Sequence, residues 1–425
     1  MVAVCVIHAL VQRAQPHVID RDNGGFRQLR KYGDVTFVNA FGSGIGELSK
    51  SVFDLVVLDD SFMVNRSSPV WPELVRRVRP VLIQSRRRAL FLQDDYTRLD
   101  VTVRLALKYD IDVFTVFSGI NELYEKHGVA SFPWLIGFAD HDLDNELQAK
   151  TVTWSERKRD VGQRVTKTSL EFGNQGRLKA TLAEKFHIEM VARGFSSDVS
   201  TADEDRFFGT EWFNFLADSR CTIGRHSGAS LVTTSFRDTL RARAIERHYS
   251  HEPFERQLDR YRKSTMLEMD MLAPSPRMFE AASLGVVQVL ESSHVDYGIK
   301  AWEHFVPISP DFSNIEEVAS FLRSAEGPEM AMRCRNALYG DSRWNREVWF
   351  RRLAEHFKLS PVAVEGRLQV PESERIAFSK LSKLDRRVDR WKTLKKLESE
   401  KLIRRCSPIE AVFRWKPALR DSLRV

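Results

Sequence analysis

The chain has 425 residues, 43% hydrophobic and 29% charged, with a formal net charge of +7. This is the composition of a globular protein, and the length predicts two domains. No apolar run is long enough to span a bilayer, and the first residues lack the basic start and cleavage site of a signal peptide. The four cysteines lie far apart, which argues against a disulfide framework or zinc site and favours a reducing cytoplasm: Cys5, Cys221, Cys334 and Cys406.

The first third of the chain alternates apolar runs with helical segments. The apolar residues of these runs are continuous, which is typical of strands buried on both faces. Predicted strands begin at Val2, Asp34, Phe53, Arg88, Ile111 and Pro133. Helical segments such as RLDVTVRLALKYD separate them. This order predicts a parallel, doubly wound α/β sheet.

Acidic residues follow the third and fourth predicted strands: Asp59, Asp60, Asp94 and Asp95. The carboxyl ends of parallel strands meet at one edge, where ligands of open sheets bind. We take Asp94 and Asp95 as candidate catalytic residues, because each could serve as a general base in a cleft at that edge. For Asp95, the N-cap of the following helix is an equal alternative.

A second α/β unit begins near Thr151. GRLKATLAEKFHIEMVARGF predicts an amphipathic helix. The predicted strands lie in RDVGQRV, SRCTIG, GVVQVLE and EHFVPI. We therefore expect one α/β domain at 1–150, a second at 151–360 and a separate extension at 361–425.

The stretch SPRMFEAASLG, residues 275–285, combines features of a nucleotide pocket. Pro276 suits the first turn of a helix, whose free N–H groups and dipole favour an anion. Arg277 adds a positive fork suited to phosphate. Glu280, one turn further on, can accept hydrogen bonds from vicinal hydroxyls, and Gly285 ends the helix. The alternative is an ordinary capped helix with a solvated glutamate.

The stretch SPRMFEAASLGVVQVL, with the later DYGIKAWEHFVPISPDFSNIEEV, resembles the donor-binding half of GT-B glycosyltransferases. It is most similar to bacterial sequences of the spore-maturation CgeB type. The resemblance covers roughly residues 90–325 and is most specific over 274–318. It implies two Rossmann-like domains facing a cleft. It also implies transfer of a sugar from a nucleotide-diphosphate-sugar donor to a hydroxyl of a glycan or glycoconjugate, such as a cell-envelope glycan.

The resemblance also assigns roles to residues. The glutamate of the family's FEAxAxG segment holds the donor ribose, and Glu280 matches it, with Gly285 at the turn. Ser275 and Arg277 match positions against the diphosphate. The family implies no metal ion, because a helix N-terminus and basic residues stabilise the leaving diphosphate. No cofactor is expected, because the nucleotide sugar is a substrate.

Two basic residues match the family's further contacts to the diphosphate, Arg164 and Lys185, with Arg177 as a competitor. For each, a surface salt bridge is the alternative. The sequence departs from the family pattern at two places. Leu272 stands where many retaining members have a glutamate, and His226 stands where related sequences often have an acid. His226 is either a catalytic candidate or a satisfied polar residue of a loop.

These departures leave retention or inversion open. They also keep a second function open, a non-catalytic sugar-nucleotide- or glycan-binding protein on the same scaffold. Binding of nucleic acid is not expected, because the known RNA-binding and zinc patterns are absent.

The positive charge is concentrated near the end of the chain. Residues 375–405 contain twelve Lys/Arg and four Asp/Glu. Apolar residues recur there at helical spacing, at Leu381, Leu384, Val388, Trp391 and Leu394. Such a basic amphipathic helix predicts either peripheral contact with an anionic membrane from the cytoplasmic side or packing on the protein itself or on a second subunit.

Overall fold

The computed structural model describes residues 2–9, 25–42, 44–68, 70–207, 209–262, 267–291 and 297–362. No helix in these ranges has the length and apolar character needed to cross a bilayer. The predicted basic helix at 375–405 lies outside the described residues, so its contact with a membrane or with the protein stays a prediction.

The first half of the chain forms a parallel sheet with strand order β2-β1-β3-β4-β5-β6. Its strands are β1 Ala3–His8, β2 Asp34–Asn39, β3 Leu55–Leu58, β4 Arg87–Phe91, β5 Asp112–Thr115 and β6 Ser131–Pro133. Its helices are α1 Gly44–Glu47, α2 Asp60–Met63, α3 Trp71–Gln84, α4 Leu99–Tyr109 and α5 Asn121–Lys126. Residues 4–7 and 55–58 are fully buried, as their continuous apolar sequences predict.

The second half begins with α6 His141–Gln148 and contributes another parallel sheet, with strand order β13-β12-β9-β7-β8. The strands of this half are β7 Arg159–Arg164, β8 Ser197–Ser200, β9 Ser219–Gly224, β10 Ser227–Val232, β11 Leu267–Ala273, β12 Val287–Glu291 and β13 Val306–Ile308. Its helices are α7 Gly173–Ala192, α8 Thr210–Ala217, α9 Phe236–His248, α10 Phe254–Arg262, α11 Pro276–Ser283, α12 Ile315–Arg323, α13 Gly327–Gly340 and α14 Arg346–His356. The fold is α/β with two Rossmann-like parallel sheets, as predicted.

Strands β10 and β11 pair with each other in antiparallel fashion, outside both parallel sheets. Their apolar side chains are buried in the core of the first sheet: Ala229, Val232, Met271 and Ala273. The backbone of Thr233 extends this contact, because its N–H donates to the Tyr96 carbonyl at 2.8 Å and its carbonyl accepts from the Leu99 N–H at 3.0 Å. This strand pair therefore packs with the first half of the molecule.

Helix α14 also returns to the first half. Its buried face, with Phe350 and Leu353, belongs to the same core as Val4 and Val6 of β1. The ring of Phe350 contacts the rings of Phe26 and Trp134. The segment that leaves the first half after β6 meets the segment that returns to it before α14 where the Ala139 N–H donates to the Trp344 carbonyl at 2.8 Å. These contacts hold the two sheets on either side of a common cleft.

Candidate functional site

A cleft of about 810 Å³ lies between the two sheets. The first half lines it with residues that follow β3, β4 and β6. The second half lines it with residues at the ends of β7 and β9, the inner face of α7 and the start of α11. The carboxyl edges of both parallel sheets therefore open into one space, the usual position for a ligand in this fold class.

Helix α11 brings three of the predicted donor-site residues to this cleft: Ser275, Arg277 and Glu280. Ser275 is the extended N-cap residue, and its side chain makes no capping hydrogen bond. Pro276 occupies the first turn, as the sequence predicts. Glu280 is only 3% exposed, so it is not the solvated glutamate of an ordinary surface helix.

Trp212 and Gln163 orient the charged side chains of α11. The indole N–H of Trp212, in α8, donates to Glu280 Oε2 at 2.8 Å. The guanidinium of Arg277 lies 4.7 Å from the centre of the Trp212 ring. Arg277 Nη1 donates to Gln163 Oε1 at 3.0 Å and also to the Arg164 carbonyl. Neighbouring groups of the protein therefore hold both Glu280 and Arg277 in place.

Three cations meet on this wall of the cleft: Lys179 of α7, Arg225 after β9, and Arg277. Burial, followed by the charges of Arg277 and Arg225, lowers the pKa of Lys179 to about 8. Burial lowers the pKa of Arg225 as well, and its side chain pairs with Glu291 at 2.7 Å. Cations that destabilise one another in this way provide a favourable site for an anion.

Gly285 does not line the cleft. It lies in the turn between α11 and β12 with φ +63°, a left-handed conformation that glycine adopts without strain. Its carbonyl accepts a hydrogen bond from Arg157 Nη1 at 2.9 Å. The structure therefore gives Gly285 a part in shaping the turn and not a place in the cleft.

Arg164 and Lys185 do not line the cleft either. Arg164 pairs with Asp198 at 2.7 Å, and its guanidinium lies 4.4 Å from the centre of the Phe215 ring. Lys185 Nζ donates to the Asp311 carbonyl at 3.1 Å. The side chain of Arg164 is therefore buried in its ion pair, and Lys185 bonds a backbone carbonyl, so neither contact is the surface salt bridge of the alternative. The competitor Arg177 is also outside the cleft lining and lies over the ring of Phe254.

His226 is buried and is not a cleft residue. Its Nδ1 shares a hydrogen bond with the Tyr297 hydroxyl, and the two rings meet edge to face. Burial, followed by the charges of Arg225 and Lys179, lowers the pKa of His226 to about 4. His226 is therefore neutral near pH 7. Its Nε2 is buried without a hydrogen-bond partner among the described residues, so only one of its two ring nitrogens is satisfied. It lies outside the cleft lining, and a catalytic role for it stays a prediction.

Asp94 and Asp95 differ from the prediction in position. Asp95 is fully buried beneath the cleft, where Thr115 donates to it, and burial raises its pKa to about 7. It is not an N-cap, because α4 begins at Leu99. Asp94 accepts a hydrogen bond from the Tyr96 hydroxyl at 2.6 Å and also lies outside the cleft lining.

Asp60 is the strand-end carboxylate that lines the cleft together with Asp59. Its Oδ1 accepts from the Gln93 N–H at 2.9 Å. Burial raises the pKa of Asp60 well above its ordinary value, and the nearby charge of Asp94 raises it further. Asp59 instead pairs with the buried His8 at 2.6 Å. Asp60 therefore combines access to the cleft with a pKa shifted toward that of a general base.

The sequence contains partial signals for the residues that the prediction missed. Asp60 belongs to the strand-end carboxylates that the sequence identifies, but the sequence does not show that it, and not Asp94 or Asp95, reaches the cleft. Lys179 and Trp212 occupy helices whose inner faces the sequence does not identify. Among the described residues, no group of three His, Cys, Asp or Glu side chains is arranged to hold a metal ion.

No family model matches the sequence, and a search of curated proteins finds no match. Solved structures match it with coverage of 84% of this chain. An α-glucosyltransferase in complex with UDP and a 13-mer DNA has TM-score 0.51 and 10% identity over 100% of that chain. HepE from Anabaena in complex with UDP and glucose has TM-score 0.44 and 11% identity over 100% of its chain. A glycosyltransferase from Rickettsia africae has TM-score 0.46 and 9% identity over 98% of its chain.

The match to the α-glucosyltransferase shows a similar fold and no more, because the sequence identity is low. The finer resemblance to CgeB-type sequences stays a prediction. Two Rossmann-like parallel sheets that face a common cleft are the architecture of GT-B glycosyltransferases, and this chain has that fold.

Proposed function

We propose that the protein is a glycosyltransferase that moves a sugar from a nucleotide-diphosphate-sugar donor to a hydroxyl of a glycan or glycoconjugate, without a metal ion. The observation that carries the proposal is the pairing of two walls in one cleft. One wall holds Lys179, Arg225, Arg277 and Glu280, and the other holds Asp60.

The three cations and the first turn of α11 suit a diphosphate. Departure of a nucleoside diphosphate places negative charge on the leaving oxygen, and preorganised positive groups stabilise that charge. In this chain, Lys179 of α7 and Arg277 of α11 supply the positive charge. Arg277 was predicted for this role from the sequence, and Lys179 takes the place that the prediction gave to Arg164 and Lys185. Glu280, close to the Arg277 end of this group, suits the ribose hydroxyls.

Asp60 suits the acceptor side. In a transfer with inversion, the acceptor hydroxyl gives its proton to Asp60 while its oxygen forms a bond to the anomeric carbon of the sugar. The bond from that carbon to the diphosphate oxygen breaks, and the nucleoside diphosphate leaves with the electron pair. UDP is the first nucleotide to test, because the α-glucosyltransferase of similar fold is in complex with UDP.

Isothermal titration calorimetry with UDP tests the donor wall. We expect Lys179→Ala to weaken UDP binding roughly 10- to 100-fold, the range for losing a hydrogen bond to a charged group. Lys185→Ala is the matched control on the same helix and should bind UDP as the wild type does. Equal effects of the two variants would remove Lys179 from the site. If the wild type binds none of UDP, GDP, ADP, CDP and TDP, the proposed function is refuted.

Turnover distinguishes a transferase from a binding protein. Release of UDP from a panel of UDP-sugars should occur with the wild type and fall at least about 100-fold in Asp60→Asn, the scale of general base catalysis, with UDP affinity retained. UDP binding without any turnover would instead favour the non-catalytic alternative. EDTA should leave turnover unchanged, and a loss that Mg²⁺ or Mn²⁺ restores would refute metal independence.

A further inference from the structure

Trp212 joins two charged groups of the cleft that lie one helical turn apart on α11. Its side chain is 7% exposed and lines the cleft. The edge of the indole donates to Glu280 Oε2 at 2.8 Å. Its face lies 4.7 Å from the guanidinium carbon of Arg277. One rigid ring therefore contacts both the carboxylate and the cation.

These two contacts restrict different motions. A hydrogen bond from a rigid indole to one carboxylate oxygen fixes the rotation of the Glu280 carboxylate. The ring face restrains Arg277, whose Nη1 also donates to Gln163 Oε1 at 3.0 Å. Side chains held in their bound geometry before a ligand arrives lose less conformational entropy on binding.

We infer that Trp212 is a positioning residue for the donor ribose, and that it acts through its N–H on Glu280. This inference rests on the proposed function, in which Glu280 accepts hydrogen bonds from the ribose hydroxyls. The N–H orients the carboxylate toward the ribose, and the ring face keeps Arg277 beside the diphosphate. Loss of the N–H alone should therefore impair recognition of the ribose and leave recognition of the diphosphate intact.

Trp212→Phe removes the N–H and keeps an aromatic face for Arg277. The probes are UDP, 2′,3′-dideoxyuridine diphosphate and pyrophosphate, titrated by calorimetry. We expect the variant to bind UDP roughly 10-fold more weakly, the scale of one hydrogen bond to a charged group. Binding of the dideoxy nucleotide and of pyrophosphate should change less than about twofold. A purely structural role would weaken all three ligands together.

The inference is wrong if UDP binding is unchanged, or if UDP and the dideoxy nucleotide weaken by the same factor. Should the Phe variant not fold, benzothienylalanine at position 212 replaces only the N–H by sulfur and provides the same comparison. In a double-mutant cycle, Trp212→Phe should have no further effect on UDP binding once Glu280→Ala is present.

The proposed function has its own readout in the wild type. If the wild type binds UDP and the dideoxy nucleotide equally well, Glu280 does not recognise the ribose, and both the ribose role and the inference fail. If the wild type prefers UDP and only the Trp212 comparison fails, the proposed function stands and the inference alone is overturned.

Discussion

Lys179 connects the pH of the solution to ligand binding. Its pKa is lowered to about 8 by burial and by the charges of Arg277 and Arg225, so the ammonium is protonated at pH 7 and largely neutral at pH 9. A bound diphosphate favours the charged form, so binding above pH 8 requires the uptake of a proton.

We therefore predict that UDP affinity falls as pH rises through 8, by up to about tenfold per pH unit until the pH reaches the pKa of Lys179 in the UDP complex, which the bound diphosphate raises. Calorimetry at pH 7, 8, 9 and 10 measures the decline. Lys179→Arg is the control, because a guanidinium stays charged over this range and the profile should be flat. An equal decline in that variant would show that another group titrates.

The residues of the site differ in how far the sequence could identify them. Glu280 and Arg277 follow from a local pattern, because Pro276 fixes the start of the helix and spacing then determines what lies one turn later. Arg164 could not be placed in the same way. Neighbours in a strand point to opposite faces, so Gln163 lines the cleft and Arg164 does not.

Lys179 and Lys185 differ in a similar manner. Six residues along a helix turn the side-chain direction by about 120°, and only the position of the cleft determines which lysine faces it. The sequence predicts an amphipathic helix here and cannot show the position of the cleft. The same limit explains why the sequence could not identify Asp60 as the cleft carboxylate. Which of the strand-end carboxylates reaches the cleft depends on the path of the loops.

At the scale of elements, the strands were the most predictable feature. All six predicted strands of the first sheet overlap observed strands, because long apolar runs have few other places to be buried. The sixth overlaps only at Pro133, where β6 ends, and residues 134–138 line the cleft instead. An apolar run beside a ligand cleft and one inside a sheet look the same in sequence.

Helix α14 was assigned by the sequence to the second domain, but its packing lies with the first sheet. We predict that Leu353→Ala lowers the free energy of unfolding by about 2–5 kcal/mol, because the side chain is 1% exposed and its loss leaves a cavity. Urea denaturation measures the effect. Arg351→Ala, an exposed position on the same helix, is the control and should change stability by less than about 0.5 kcal/mol. Similar values for both variants would show that α14 does not complete this core.

At the scale of the whole molecule, the two halves share one core. The first sheet is covered in part by β10, β11 and α14, all from the second half of the chain. Unfolding of the second half therefore uncovers the core of the first. Two independent domains joined by a linker would not behave in this way.

We predict a single cooperative unfolding transition. Urea midpoints from tryptophan fluorescence and far-ultraviolet circular dichroism should coincide, and calorimetric and van't Hoff enthalpies should agree. Saturating UDP should move both midpoints together. Two resolved transitions, or a ligand effect on only one of them, would contradict a shared core.

The return of α14 also has a consequence for synthesis on the ribosome. The last strand of the first sheet ends at Pro133, and the helix that covers this sheet begins at Arg346. At roughly 5–20 residues per second, translation of the intervening chain takes about 10–40 s. For that interval the nascent protein exposes the apolar face of β1, the kind of surface that chaperones bind. A message truncated before the codon for Arg346 would produce a first sheet that never gains this cover.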